Sequence, residues 1–199
     1  MSSKYFYHGI KEGKMCFIPP VQCIDKMIKI IESGGLKSSS QLGKTRAHTY
    51  NGLDYISLCR IEDMNEYCKH NPTAFFHFIF VNFCFVISDE VEALKTKQLD
   101  TSMYRDYFEL ECIIQASNER YSDMFDEWQV YKEIPLKYII GIGIPSIVVN
   151  RFKYDSEFMT KLEKLENIAQ ELNLDIVDTS SVEAIEEFEK NKKEKSIKL

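Results

Sequence analysis

Residues 134–144, IPLKYIIGIGI, limit the fold more than any other part of the chain. The segment is almost continuously apolar and rich in β-branched isoleucine, the pattern of a buried strand. A second apolar run, residues 74–87, predicts one long or two short buried strands. It contains His77 and Asn82 and is too short to cross a bilayer easily. A chain with two such runs needs a sheet at its centre and other elements to cover it.

The remaining elements follow from local pattern. Residues 4–10 read as a short strand ending at His8-Gly9. Residues 21–33 form an amphipathic helix, with Ile24, Met27, Ile28 and Ile31 on one face and Asp25, Lys26, Lys29 and Glu32 on the other. Gly34-Gly35 closes it as a left-handed cap. Residues 36–52 are polar and read as a long loop. Residues 53–59, LDYISLC, and residues 127–131 alternate as strands do. Residues 88–94 and 103–108 look like helical turns, 110–115 fit helix or strand, and 116–126 read as a loop.

Beyond Asn150 the character changes. Residues 156–172 predict a charged helix with Phe158, Leu162, Leu165, Ile168, Ala169 and Leu172 as its stripe. Residues 175–177 suggest an edge strand, and residues 182–189 begin a last helix. Strands and helices mix without a strict βαβ rhythm, so the expected class is α+β rather than doubly wound. The expected organisation is a core over residues 1–150, a helical extension over 151–189 packed on it, and a charged, disordered tail over 190–199. No Walker or Rossmann phosphate loop is present.

Composition narrows the function classes. A length of 199 residues suits one domain, and a 13% aromatic share is that of a chain that folds. The net charge of −6 gives no global basic field to hold nucleic acid nonspecifically, though a local basic groove remains compatible with it. The N-terminus, MSSKYFYHGI, has no apolar stretch followed by small residues, so no signal peptide is expected. Six scattered cysteines (Cys16, Cys23, Cys59, Cys68, Cys84 and Cys112) form no C-x-x-C pair. That spacing predicts a reducing, cytoplasmic setting with no metal expected, and the short apolar runs predict no membrane. Cys84 and His77 share an apolar run with no acid to orient them, which argues against Cys–His catalysis. Glu109 and Glu111 read as a solvated face.

Three pieces carry chemistry. In YFYHGI, a strand ends in an imidazole, His8, followed by Gly9, whose backbone a ligand can approach closely. An imidazole there can bond a ribose hydroxyl, and the Gly9 amide and carbonyl can grip a carboxamide. In YNGLDYISLC, Tyr50 and Tyr55 are aromatic plates suited to a flat cationic ring. In DEWQVYKEIP, Glu127 opens a strand after a polar loop, where the strand fixes a carboxylate and the loop admits substrate.

Taken in order, these pieces resemble the ADP-ribosyltransferase fold of the His-Tyr-Glu class over roughly residues 4–145. The Ser-Gly-Gly-Leu turn at residues 33–36 adds to the resemblance. The Tyr-bearing strand and the Glu-aromatic-x-Val-Tyr segment at residues 127–131 look like those of poly(ADP-ribose) polymerases and RNA 2′-phosphotransferases. The small size and the IPLKYI segment look more like bacterial toxin-type transferases. The resemblance implies split sheets flanked by helices, and NAD+ as co-substrate. It implies that His8 and Gly9 hold the nicotinamide ribose and amide, that Tyr50 or Tyr55 stacks on the nicotinamide, and that Glu127 is the catalytic carboxylate. It further implies mono-ADP-ribosyl transfer to a protein or nucleic-acid acceptor. Arginine-modifying members carry Glu or Gln two residues before the catalytic Glu. Phe125 stands there, so arginine is not the expected acceptor. The alternatives are a module of this fold that binds NAD+ or ADP-ribose without transfer, and an interaction protein.

Overall fold

The structure, a computed structural model, describes residues 5–10, 19–43, 54–63, 83–96 and 127–197. The expectations for residues 74–82 and 97–126, for Tyr50 and for His77 lie outside these segments.

The described strands fall into three sheets, and the class is α+β. The largest sheet has the order β1 (Phe6–Gly9), β4 (Cys84–Ile87), β8 (Ile139–Ile144), β9 (Asp175–Asp178). The first three strands run antiparallel and β9 runs parallel to β8. A three-stranded sheet has the order β3 (Tyr55–Leu58), β6 (Glu127–Tyr131), β5 (Leu94–Thr96), and β2 (Gly35–Lys37) pairs with β7 (Glu133–Pro135).

Burial explains why β8 and β4 are central. Phe85, Val86 and Ile87 of β4 and Ile142 of β8 have no exposed surface. Side chains from both faces of β4 are therefore committed to packing: Phe85 and Ile87 enter the larger core, Cys84 and Val86 the smaller one behind the sheet.

The larger core is closed by α1 (Pro20–Glu32) and α3 (Ser156–Glu171). Proline opens α1, where its missing amide hydrogen costs nothing. The predicted face, Ile24, Met27, Ile28 and Ile31, is the buried one, joined by Cys23. Each such side chain contributes about 1.5–3 kcal/mol by leaving water. Gly34 has φ +86° and ends the helix in the left-handed conformation. Asp155 caps α3 by accepting from the Phe158 amide at 3.0 Å. Lys161 of α3 reaches Asp25 of α1 at 2.6 Å.

Several elements differ from the sequence reading. The expected single strand at residues 134–144 is two, β7 and β8, separated by a 3₁₀ turn at Leu136–Tyr138. Pro135 cannot donate to a ladder, so the apolar run turns there and changes sheets. Leu36 and Lys37, assigned to a loop, form β2 against Ile134 and Glu133. Residues 88–94 make a turn leading into β5 rather than a helical segment. A short helix, α2 (Ser146–Phe152), was not foreseen. The last helix, α4 (Val182–Ile197), continues through residues assigned to a disordered tail. Its Val182 and Ile185 are buried, and Lys192 pairs with Asp175 of β9. Because β9 joins the main sheet, residues 151–189 complete the core rather than sit upon it.

Gly35 marks a tight junction. Its φ is +134°, and a Cβ there would run into the Ile134 carbonyl and stand 2.9 Å from the Leu136 amide nitrogen. Backbone cannot move aside as a side chain can. Gly35→Ala is expected to destabilise the fold by about 1–3 kcal/mol, the cost of one such strained residue. Urea denaturation of the two proteins checks this; an unchanged midpoint would refute it.

Candidate functional site

Among the described strands β1 stands at the edge of the main sheet, and its outer side faces β3. Antiparallel strands direct successive backbone amides alternately to their two neighbours. The Ile10 amide donates to the Phe83 carbonyl at 2.8 Å, so Ile10 and His8 face β4. Tyr7 faces the other way: its amide donates to the Cys59 carbonyl at 2.9 Å and its carbonyl accepts from the Cys59 amide at 3.1 Å. Gly9 shares the parity of Tyr7. Its amide and carbonyl are thus directed to the β3 side, two residues beyond the bridge.

The imidazole of His8 crosses the same gap. Its Nδ1 lies 2.8 Å from the Ser57 carbonyl oxygen of β3. A carbonyl only accepts, so Nδ1 carries the hydrogen, and in the neutral ring Nε2 is the acceptor. The bond fixes both tautomer and ring direction.

β3 and β6 run together in the register Tyr55↔Tyr131, Ile56↔Val130, Ser57↔Gln129, Leu58↔Trp128. Glu127 heads β6, opposite Thr96 of β5. At ~3.3 Å per residue, Glu127 is about 7 Å along the strand from the Ser57 rung to which His8 is tied. The structure therefore brings the His8-Gly9 strand end and the Glu127 strand head to the same pair of strands. Tyr55 lies two residues from that rung in the opposite direction, about 13 Å along the strand from Glu127. It is on the face opposite Ile56 and Leu58, which are buried, and its ring meets Tyr131 at 5.5 Å.

Next to Glu127 is a group of residues that the sequence reading missed. Trp128 packs edge-on against Phe6 of β1 at 5.2 Å. The Arg60 guanidinium lies over both rings, 4.1 Å from Phe6 and 4.5 Å from Trp128. Arg60 also pairs with Glu62 at 3.2 Å, and its buried Nε has no hydrogen-bond partner among the described residues. Asp63, in the 3₁₀ turn Ile61–Asp63, accepts from Trp128 Nε1 and from Lys95 Nζ, each at 2.6 Å. The signal available in the sequence was that the chain's one tryptophan adjoins Glu127.

Behind β1, the Tyr7 hydroxyl donates to Glu189 of α4 at 2.7 Å. Burial, then the nearby Glu189 charge, holds the Tyr7 phenol well above its usual range. A separate open cavity of about 300 Å³ lies between β9 and α4, lined by Asp175, Asp178, Glu187, Phe188 and Lys192. It includes none of the predicted site residues. Among the described residues no group of His, Cys, Asp and Glu has metal-site geometry, and no helix is long and apolar enough to cross a membrane.

Cys84 is fully buried, and burial pushes its thiol up to about 12. At pH 8 it is therefore protonated and unreactive. Iodoacetamide is expected to leave Cys84 unmodified in the native protein and to modify it after denaturation. Peptide mass spectrometry checks this; native labelling would refute it.

No family model and no curated protein matches the chain. Two solved structures are similar to it. Thermus sp. 2.9 DarT in complex with carba-NAD+ is 17% identical over 84% of this chain and 92% of that chain, with a TM-score of 0.42. Thermus sp. 2.9 DarT in complex with ADP-ribosylated ssDNA is 17% identical over 83% and 90% of the two chains, with a TM-score of 0.40.

Proposed function

We propose that the chain is an NAD+-dependent mono-ADP-ribosyltransferase that moves ADP-ribose to a protein or nucleic-acid acceptor and releases nicotinamide. The observation that carries this reading is that Gly9 directs its amide and carbonyl to the β3 side and His8 is tied to Ser57 of β3, whose partner strand β6 begins at Glu127 two rungs along the ladder. One residue, Gly9, offers both a donor and an acceptor to that gap, which matches a carboxamide. His8 Nε2 accepts from a ribose hydroxyl while Nδ1 stays tied to Ser57.

In this reading the glycosidic bond between ribose C1′ and nicotinamide nitrogen breaks, and the electron pair leaves with nicotinamide as a neutral ring. Positive charge develops on the ribose. The Glu127 carboxylate lowers the barrier by standing near that charge, as carboxylates do beside the related cation of glycosidases. The acceptor's oxygen or nitrogen then bonds to C1′ and gives up its proton. Tyr55 is the described candidate for a stacking plate, and Tyr50 the other. The setting proposed is cytoplasmic and toxin-like.

Glu127→Gln keeps size and removes charge. Nicotinamide release is expected to fall about 10²–10³-fold, while NAD+ binding persists. His8→Ala is expected to weaken NAD+ binding roughly three- to ten-fold, the value of one hydrogen bond. Nicotinamide assay and calorimetry on the three proteins check both, with single-stranded DNA as the first acceptor offered. Full turnover by Glu127→Gln would remove Glu127 from the chemistry. Binding without turnover by the wild type, acceptor present, would mark a binding module.

A further inference from the structure

The Asp63 carboxylate is nearly out of water, its side chain 8% exposed, and it uses both oxygens. Oδ2 accepts from the Trp128 indole at 2.6 Å and Oδ1 from Lys95 at 2.6 Å. Lys95 and Trp128 are direct partners in the β5–β6 ladder. One carboxylate thus spans a single rung, and the next rung is Thr96↔Glu127. The Lys95 side chain is 40% exposed, so its ion pair with Asp63 adds little stability. What the arrangement does supply is direction. The indole cannot rotate without abandoning Asp63, and its ring is the surface on which Phe6 and Arg60 rest. Phe6 precedes His8 by two residues on β1. Trp128 follows Glu127 on β6. These strands belong to different sheets, so the indole's orientation sets one sheet's site residues against the other's.

We propose that Asp63 is a positioning residue: by locking the Trp128 indole it holds the head of β6, and with it Glu127, in register with the His8 strand end. The inference rests on the reading of Glu127 and His8 given above. A second readout frees it from that reading, because Trp128 is the sole tryptophan and its fluorescence reports the indole alone.

Asp63→Ala removes the acceptor. Its Trp128 emission shifts to the red and is quenched more by acrylamide than in wild type. For nicotinamide release, kcat falls about 10²-fold, the loss expected from a small misplacement of a reacting group. KM for NAD+ stays within about threefold, since binding of the ground state is untouched. Asp63→Asn keeps a carbonyl oxygen for the indole and recovers the wild-type emission and most of kcat. A purely structural role would instead lower thermal stability, kcat and NAD+ affinity together, without rescue by Asn. Wild-type emission and quenching in Asp63→Ala overturn the clamp whatever the activity. Altered emission with wild-type kcat overturns its bearing on the site. Should the Ala variant fail to fold, Trp128→Phe keeps the aromatic packing and deletes the N–H; kcat must fall there too, and wild-type kcat overturns the proposal. An inactive wild type overturns the proposed function, and the clamp then stands or falls on the fluorescence of Asp63→Ala and Asp63→Asn.

Discussion

The two larger sheets meet at a narrow joint. Tyr7 and Cys59 exchange both of their backbone hydrogen bonds, and one rung away the His8 ring reaches the Ser57 carbonyl. Everything proposed for the site depends on that joint, because it brings a strand end from one sheet beside a strand pair from another. Its strength comes from what lies on either side. Phe6 and Trp128 pack on one face of β1, and Tyr7 with Cys59, Cys84 and Val86 on the other. The bridge is a single residue pair, and Gly9 lies two residues beyond it on β1.

The polar groups near the joint divide into two kinds. The His8–Ser57 contact is exposed and fixes a tautomer. The Asp63–Trp128 contact is part-buried and fixes a ring, with Lys95 meeting the other carboxylate oxygen from the exposed side. Arg60 belongs to the second kind, held by ring faces and Glu62 rather than by a buried carboxylate. Within the group, Arg60 and Lys95 stand against Glu62 and Asp63, two charges of each sign.

Much of the fold was legible because local pattern and burial agree. The α1 stripe, Ile24 to Ile31, and the α3 stripe at Phe158, Leu162, Leu165 and Ala169 show the helical period and are the buried faces. β6 alternates and was read with its observed bounds. The run at residues 134–144 was not divided, because continuous apolarity has no period to mark the turn at Leu136–Tyr138. Strands of three residues, β2 and β5, are defined by their partners more than by their own residues. For the proposed site, His8, Gly9, Tyr50 or Tyr55 and Glu127 were open to selection by residue type near strand ends. Asp63 was not: the role proposed for it rests on a contact with Trp128 across 65 positions of sequence, and Asp63 taken alone reads as one more surface acid.

Chain connectivity gives the Tyr7–Glu189 hydrogen bond a bearing on synthesis. Its two residues are 182 positions apart, and Val182 and Ile185 fill the core behind β1. A ribosome delivers β1 well before α4, so the strand carrying His8 waits for the residues that cover one of its faces until 182 further positions have been made. Contacts of such long range close last and slowly. The His8 strand therefore gains its full support only when α4 has emerged, and a nascent chain that stops short of α4 holds β1 without the backing of Val182, Ile185 and Glu189.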